Sequence, residues 1–224
     1  MSFGDKKLSE IAISVPGSTS LLREYDLDFC CGGSDTLAHA AAEKGLNLAE
    51  IETRLTTLQN SKAENPEEYW VGANYGEVID HILVRYHQRH REQLQELIVL
   101  ADRVESVHGD RDDCPIGVAA ELRNVYDDLS NHMMKEEHVL FPMIKAGNYM
   151  MAQMPIRMME MEHAEHGEHL DVLKSLTNNM TPPADACNTW RALYSGIQEF
   201  ADDLMMHIHR ENNILFPRVI AENH

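Results

Sequence analysis

From Tyr75 onward, apolar residues recur at three- and four-residue spacings in four long stretches, Tyr75 to Val107, Ile116 to Ala146, Pro155 to Thr177 and Ala184 to Ile220. That period marks an α-helix with one buried face. Helix stop and start signals separate the stretches: Gly109 to Pro115, Gly147 with Asn148, Pro155 at an expected first helical position, and Thr181-Pro182-Pro183. Such short connections favour antiparallel neighbours, so the pattern predicts an all-α protein built on a four-helix up-down bundle.

The first part of the chain reads differently. Leu8 to Leu58 breaks into short helical pieces at Val15-Pro16-Gly17-Ser18 and Cys31-Gly32-Gly33-Ser34. Ser34 or Asp35 is expected to cap the alanine-rich helix that runs through Ala42, with Gly45 ending it. Gln59 to Glu68 is polar and lacks apolar periodicity, which suits a linker. The expected organisation is a small helical module over 1–60, a linker over 61–74 and the bundle over 75–224.

Composition narrows the function classes. A formal charge of −18 would repel the phosphate backbone that nucleic-acid binders must neutralise. No run of about 18 apolar residues is present to span a membrane, and no signal-peptide-like stretch follows Met1, so the reading is cytoplasmic. Of four cysteines, Cys30 and Cys31 are adjacent, where a mutual disulfide would be a strained ring; reduced thiols in a reducing compartment fit better.

The chemistry lies in an internal repeat. His132-Met-Met-Lys-Glu136 and His207-Ile-His-Arg-Glu211 each run on to Leu-Phe-Pro, ending at Pro142 and Pro217. Four residues on in a helix lie almost above the first, so each pair presents an imidazole and a carboxylate on one face. The other two helices also repeat each other, with His87-Gln-Arg-His90 matching His163-Ala-Glu-His166. Two similar hairpins bring four histidines to one level, where imidazole nitrogens and carboxylate oxygens can hold two metal ions. Mixed nitrogen and oxygen ligation without thiolate suits iron or manganese, and iron is preferred.

Other polar residues are weighed against that site. His90 and His166 lie near the same faces as His87 and His163, as alternative ligands or hydrogen-bonding neighbours. Asp128, one turn before His132, and Glu162, beside His163, are candidates to support a ligand or to serve as one temporarily. His108 is about 31 Å along the helix from His87 and is excluded. His138 and His209 fall off the ligand face, and His39, His81, His169 and His224 are read as surface residues. The methionines are read as core filling.

Tyr25-Asp-Leu-Asp-Phe-Cys-Cys-Gly-Gly33, Val84 to Glu92, His132 to Pro142 and His207 to Pro217 resemble, in combination, the Repair of Iron Centers family. These are di-iron proteins with a hemerythrin-like domain and an amino-terminal Cys-Cys-Gly-Gly module. The resemblance covers nearly the whole chain. It implies two non-haem iron ions, oxo-bridged, on His87, His132, His163, His207, Glu136 and Glu211, and so favours His87 over His90 and His163 over His166. Oxygen-carrying hemerythrins have a fifth histidine and an aspartate in place of the second glutamate, so Glu211 weakens a simple oxygen-carrier reading.

The function the resemblance implies is repair of iron–sulfur clusters damaged by nitrosative or oxidative stress, with the di-iron centre donating iron. Cys30 and Cys31 would receive iron or exchange thiols, and the partners would be damaged iron–sulfur proteins. Apart from the resemblance, a second copy of the chain is a further expected partner, since a cysteine module can act across subunits. The alternatives are an enzyme reducing nitric oxide or peroxide, and a sensor binding oxygen or nitric oxide. No His-Glu-x-x-His, phosphate-loop or Gly-x-Ser-x-Gly pattern supports a hydrolase or nucleotide-dependent enzyme.

Overall fold

The computed structural model describes residues 2–61 and 63–222; His224, read above as a surface residue, lies outside them. Among the described residues all regular structure is helical, apart from one isolated bridge between Lys7 and Thr36. The chain divides into two compact units, Met1–Val78 with Ile208–His224, and Ile79–His207.

The first unit contains α1 (Leu8–Ser14), α2 (Ser18–Glu24), α3 (Leu37–Glu43), α4 (Leu48–Asn60) and α5 (Pro66–Gly72). Each is too short to persist alone and is held by what it buries, notably Ile11, Leu22, Leu37, Ile51 and Leu55, all at or near zero exposure. Thr36, rather than Ser34 or Asp35, caps α3, its side chain accepting from the His39 amide. The chain is still turning at Ser34 and Asp35, where the Asp35 amide bonds back to the Gly32 carbonyl. Gly45 ends α3 with φ +63, and amides 45 and 46 return to carbonyls 42 and 41.

Within 61–74, read as a linker, residues 66–72 are helical because Asn65 caps the Glu67 amide and Pro66 stands where no amide donor is needed. The first unit also takes the end of the chain, the π turn Arg210–Leu215 and its continuation Phe216–Ala221. Buried Arg210 pairs there with buried Glu67 through both terminal guanidinium nitrogens, and His209 Nε2 lies 3.4 Å from the same carboxylate. Burial would raise the Glu67 pKa, but His209 and Arg210 outweigh it and hold the group below its ordinary value.

The second unit is the bundle. Helix α6 (Tyr75–Ile82) passes through a π turn, Leu83–His87, into α7 (Gln88–His108). Then come α8 (Val118–Lys135), a second π turn (Glu136–Leu140), α9 (Phe141–Lys145), α10 (Tyr149–Leu176) and α11 (Asn188–His209). Consecutive helices pack together, α7 on α8 and α8 on α10. On α11, Gly196 permits a close approach to α7, since a Cβ there would meet Leu97 Cδ2 at 2.7 Å.

Pro155 does not start its helix. Gly147 (φ +74) makes the turn and α10 begins at Tyr149, leaving Pro155 inside with the cost of one backbone hydrogen bond. No helix among the described residues is long and apolar enough to cross a membrane.

Candidate metal centre

Four helical segments each deliver one imidazole to the interior of the bundle: His87, His132, His163 and His207, none more than 1% exposed. Glu136 is fully buried among them. A π turn re-aims the side chains around it, and such turns concentrate at functional sites. The three here contain His87, Glu136 and Glu211 in turn.

The imidazoles meet in two pairs, His87 Nε2 to His207 Nε2 at 3.2 Å and His132 Nε2 to His163 Nε2 at 3.0 Å. One oxygen, Glu136 Oε2, lies 3.3 Å from His87 Nε2 and 3.5 Å from His132 Nε2, between the pairs. Two donors at right angles on one cation, each about 2.1 Å from it, stand about 3.0 Å apart. Both pairs therefore have the spacing of neighbouring ligands, and Glu136 is placed to serve both.

The outer nitrogens show which way the imidazoles are polarised. His87 Nδ1 lies 2.8 Å from Glu137 Oε1, which also accepts from Arg91 at 2.8 Å. His132 Nδ1 lies 2.9 Å from Glu162 Oε2, and Lys135 donates to the other oxygen of Glu162 at 2.6 Å. The bond from His87, reinforced by Arg91, lowers the Glu137 pKa to about 2, and the bond from His132, with Lys135, does the same for Glu162. Ionised carboxylates there hold the proton on each Nδ1 and leave each Nε2 as a lone pair facing the centre.

A cation fits this arrangement. Neither oxygen of Glu136 receives a hydrogen bond among the described residues, and a buried carboxylate without compensation costs on the order of several kcal/mol. A metal ion supplies the missing positive charge. Imidazole and carboxylate ligands match iron, and no thiolate stands among them. Glu211 is fully buried and follows His207 by four residues on the same helical run.

The remaining predicted residues divide between those beside this centre and those turned away from it. His90 and His166 are buried beside it, with ring centroids 5.3 Å from His207 and 4.8 Å from His132. Burial, followed by neighbouring imidazoles, pushes His90 well below its ordinary pKa and His166 to about 2, so both are neutral. Glu162 supports His132. Asp128 does not: its exposed carboxylate lies 3.1 Å from His169 Nε2, because its position turns it out of the bundle. His169, read as a surface residue, is instead half-buried between Asp128 and Glu121. His209 is fully buried against Glu67 and Phe29.

Glu137 carries the same role as Glu162 and was not singled out in the sequence. The repeat gave no signal for it, since Asn212 occupies the matching position. The nearest clue was Arg91, one turn after His87.

In the first unit, the thiol loop is built on Asp28, whose carboxylate accepts from the amides of Cys30, Cys31 and Gly32 at 2.9–3.0 Å and from the Cys30 thiol at 3.1 Å. The two sulfurs are 3.9 Å apart. The thiol contact with Cys31, then burial, then the charge of Asp28 raise the Cys30 pKa well above the ordinary thiol value. Asn212 and Asn213 donate to the carbonyls of Cys30 and Phe29, so residues next to Glu211 hold the loop. Gly33 is required, because a Cβ would lie 2.6 Å from the Phe29 carbonyl oxygen.

A family model described as the Hemerythrin HHE cation binding domain matches residues 78–219, and one described as a domain of unknown function, DUF542, matches residues 4–59. A "Probable iron-sulfur cluster repair protein" of Haemophilus influenzae is 68% identical over 99% of this chain and 100% of its own length. Proteins named "Iron-sulfur cluster repair protein YtfE" are 55% identical in Musicola paradisiaca, over 98% of each chain, and 53% identical in Dickeya chrysanthemi, over 98% of this chain and 99% of the relative. With the first model spanning more than half its length and relatives aligning almost end to end, the chain belongs to the hemerythrin HHE cation-binding family, among members that also carry the DUF542 module.

Proposed function

We propose that this protein repairs damaged iron–sulfur clusters by supplying iron, from a centre of two non-haem iron ions, oxo-bridged, held by His87, His132, His163, His207, Glu136 and Glu211. The observation that carries the reading is the pair of imidazole pairs set about one unsatisfied carboxylate, in a chain whose full-length relatives carry the repair name. In this reading the 75–224 segment stores the metal and the 1–60 module, with Cys30 and Cys31, serves the transfer. Its compartment is the cytoplasm, where adjacent thiols stay reduced.

Bound iron supplies a redox-active cargo with an affinity for thiolate and sulfide. The protein's own residues set how firmly the cargo is kept. Nitrogen and oxygen donors release iron to thiolates more readily than a thiolate cage would, and protonating an imidazole or carboxylate weakens the site further. Glu137 and Glu162 oppose that release by keeping His87 and His132 oriented. His90 and His166, buried and neutral, keep the surroundings dry and uncharged.

The test is metal per chain, iron loss and rebuilding of a damaged cluster protein, compared with an E136A/E211A variant. Two irons that leave only the unmutated protein, with cluster recovery, support repair. Iron that stays bound while nitric oxide or peroxide is consumed with an electron donor replaces it with a reductase. Reversible binding of oxygen or nitric oxide without either replaces it with a sensor, and absence of bound iron overturns the site.

A further inference from the structure

The two repeats part immediately after their glutamates. Glu136 is followed by Glu137 and His138, and Glu211 by Asn212 and Asn213. In the first repeat the extra acid turns back to His87. In the second the two amides reach instead to the thiol loop, Asn213 Nδ2 donating to the Phe29 carbonyl at 2.8 Å and Asn212 Nδ2 to the Cys30 carbonyl at 3.2 Å. The proposed ligand Glu211 and the two residues that hold the loop are therefore consecutive on one π turn, Arg210–Leu215.

The loop is seated closely on that turn. Asn213 Oδ1 stands 3.1 Å from where a Cβ on Gly33 would be. The Phe29 ring meets the His209 ring edge-on at 5.3 Å, and His209 Nδ1 lies 2.8 Å from Asn213 Nδ2. Arg210, before Glu211, is anchored by its ion pair with buried Glu67, a firmer hold than the neutral amide bonds that follow Glu211. Displacement of Glu211 is therefore taken up on the asparagine side, where the loop is held.

We infer that Asn212 and Asn213 are positioning residues that couple occupancy of the iron centre to closure of the thiol loop. A cation on fully buried Glu211 favours the turn as it stands, and with it the two bonds that keep the loop shut over Cys30. Loss of the cation strips favourable charge from a buried carboxylate and favours arrangements that reach water. Coupling of this kind is reciprocal, so opening the loop loosens iron by the same factor by which iron closes it, about 5–150-fold in typical cases. The thiols are thus uncovered as iron leaves, which is the order a transfer between the two sites requires. The inference rests on the iron reading above and adds the link between its two parts.

Anaerobic alkylation of the full chain by iodoacetamide, with and without ferrous iron, tests it. Cys30 is buried and Cys31 half-exposed, so opening of the loop is read as labelling of Cys30, followed by peptide mass spectrometry with bound iron measured in the same samples. Iron should slow that labelling at least about fivefold in the unmutated protein. In N212A/N213A, Cys30 should label fast with or without iron. N212A alone, at a half-buried position, should shrink the effect, and gives the same comparison if the double variant does not fold. N65A removes the α5 cap and a bond to the Ile13 carbonyl but leaves the asparagine contacts in place, so it controls for general loosening of the unit and should keep the iron effect. Bound iron with an unchanged Cys30 rate would overturn the coupling, as would a slowing that survives in N212A/N213A, which would place iron on the thiols themselves. Absence of bound iron would instead overturn the centre, and the inference with it.

Discussion

Glu137→Gln removes one negative charge while keeping the side chain's size, and the structure says what should follow. Glu137 Oε1 holds His87 Nδ1 at 2.8 Å and Arg91 at 2.8 Å, fixing a lone pair on the Nε2 that faces the metal site. An amide can still accept a hydrogen bond, but it no longer stabilises the imidazole as its Nε2 donates to a cation. Loss of such a partner typically weakens metal affinity 10–100-fold, or about 1.4–2.8 kcal/mol. Glu162→Gln should do the same at His132. Because the two carboxylates serve different imidazole pairs, each single variant should, in the proposed two-iron centre, loosen one iron of two, giving biphasic release to a competing chelator. The pH dependence has a defined sign. The Glu137 carboxyl is lowered from 4.5 to about 2, so its contribution is complete above about pH 4.5 and is lost as pH falls toward 2. That component should be missing from the Gln variant. Chelator competition at pH 7, with thermal melting of the metal-free protein as a fold control, decides the matter. Iron affinity within twofold of the unmutated protein, or equal loosening of both irons, would refute the assignment.

Gly33→Ala should destabilise the first unit by more than about 1 kcal/mol, since its Cβ would press on a backbone oxygen; denaturant unfolding checks this. Glu67→Gln leaves Arg210 as a buried, uncompensated charge and should cost about 3–5 kcal/mol in the same assay. For His169, burial disfavours the charged ring, but Glu121 and Asp128 outweigh it and raise the pKa. Its stabilisation is complete below the unfolded value near 6.5 and disappears as pH rises through the folded value. Metal-free unmutated protein should thus lose more stability between pH 6 and 8 than His169→Gln, and equal slopes would exclude the contribution. Iodoacetamide should label the half-exposed Cys31 before the buried Cys30, an order that peptide mass spectrometry reads directly.

The four-helix bundle, its antiparallel order and the histidines that meet inside it were legible in the sequence because amphipathic period and i,i+4 pairing are local properties, written twice in this chain. His132 with Glu136 and His207 with Glu211 announced themselves by repetition, and so did His87 and His163. The same logic failed where the partner comes from elsewhere. Glu137, on the second π turn, was missed although it supports His87, and Glu162, singled out for its place beside His163, supports His132 instead, because only packing puts an acid beside a given imidazole. Asp128 was misjudged for the converse reason, since sequence proximity to His132 says nothing about which way a helix turns its surface. Pro155 looked like a helix start because its ring tolerates only early positions without cost, yet Gly147 and Asn148 had already made the turn. The burial of His209, and the use of Asn212 and Asn213 to hold a loop some 180 residues earlier, belong wholly to tertiary structure. Periodicity along a chain records which face of each element is buried. What that face meets is decided by contacts between residues far apart in sequence, and no local pattern encodes them.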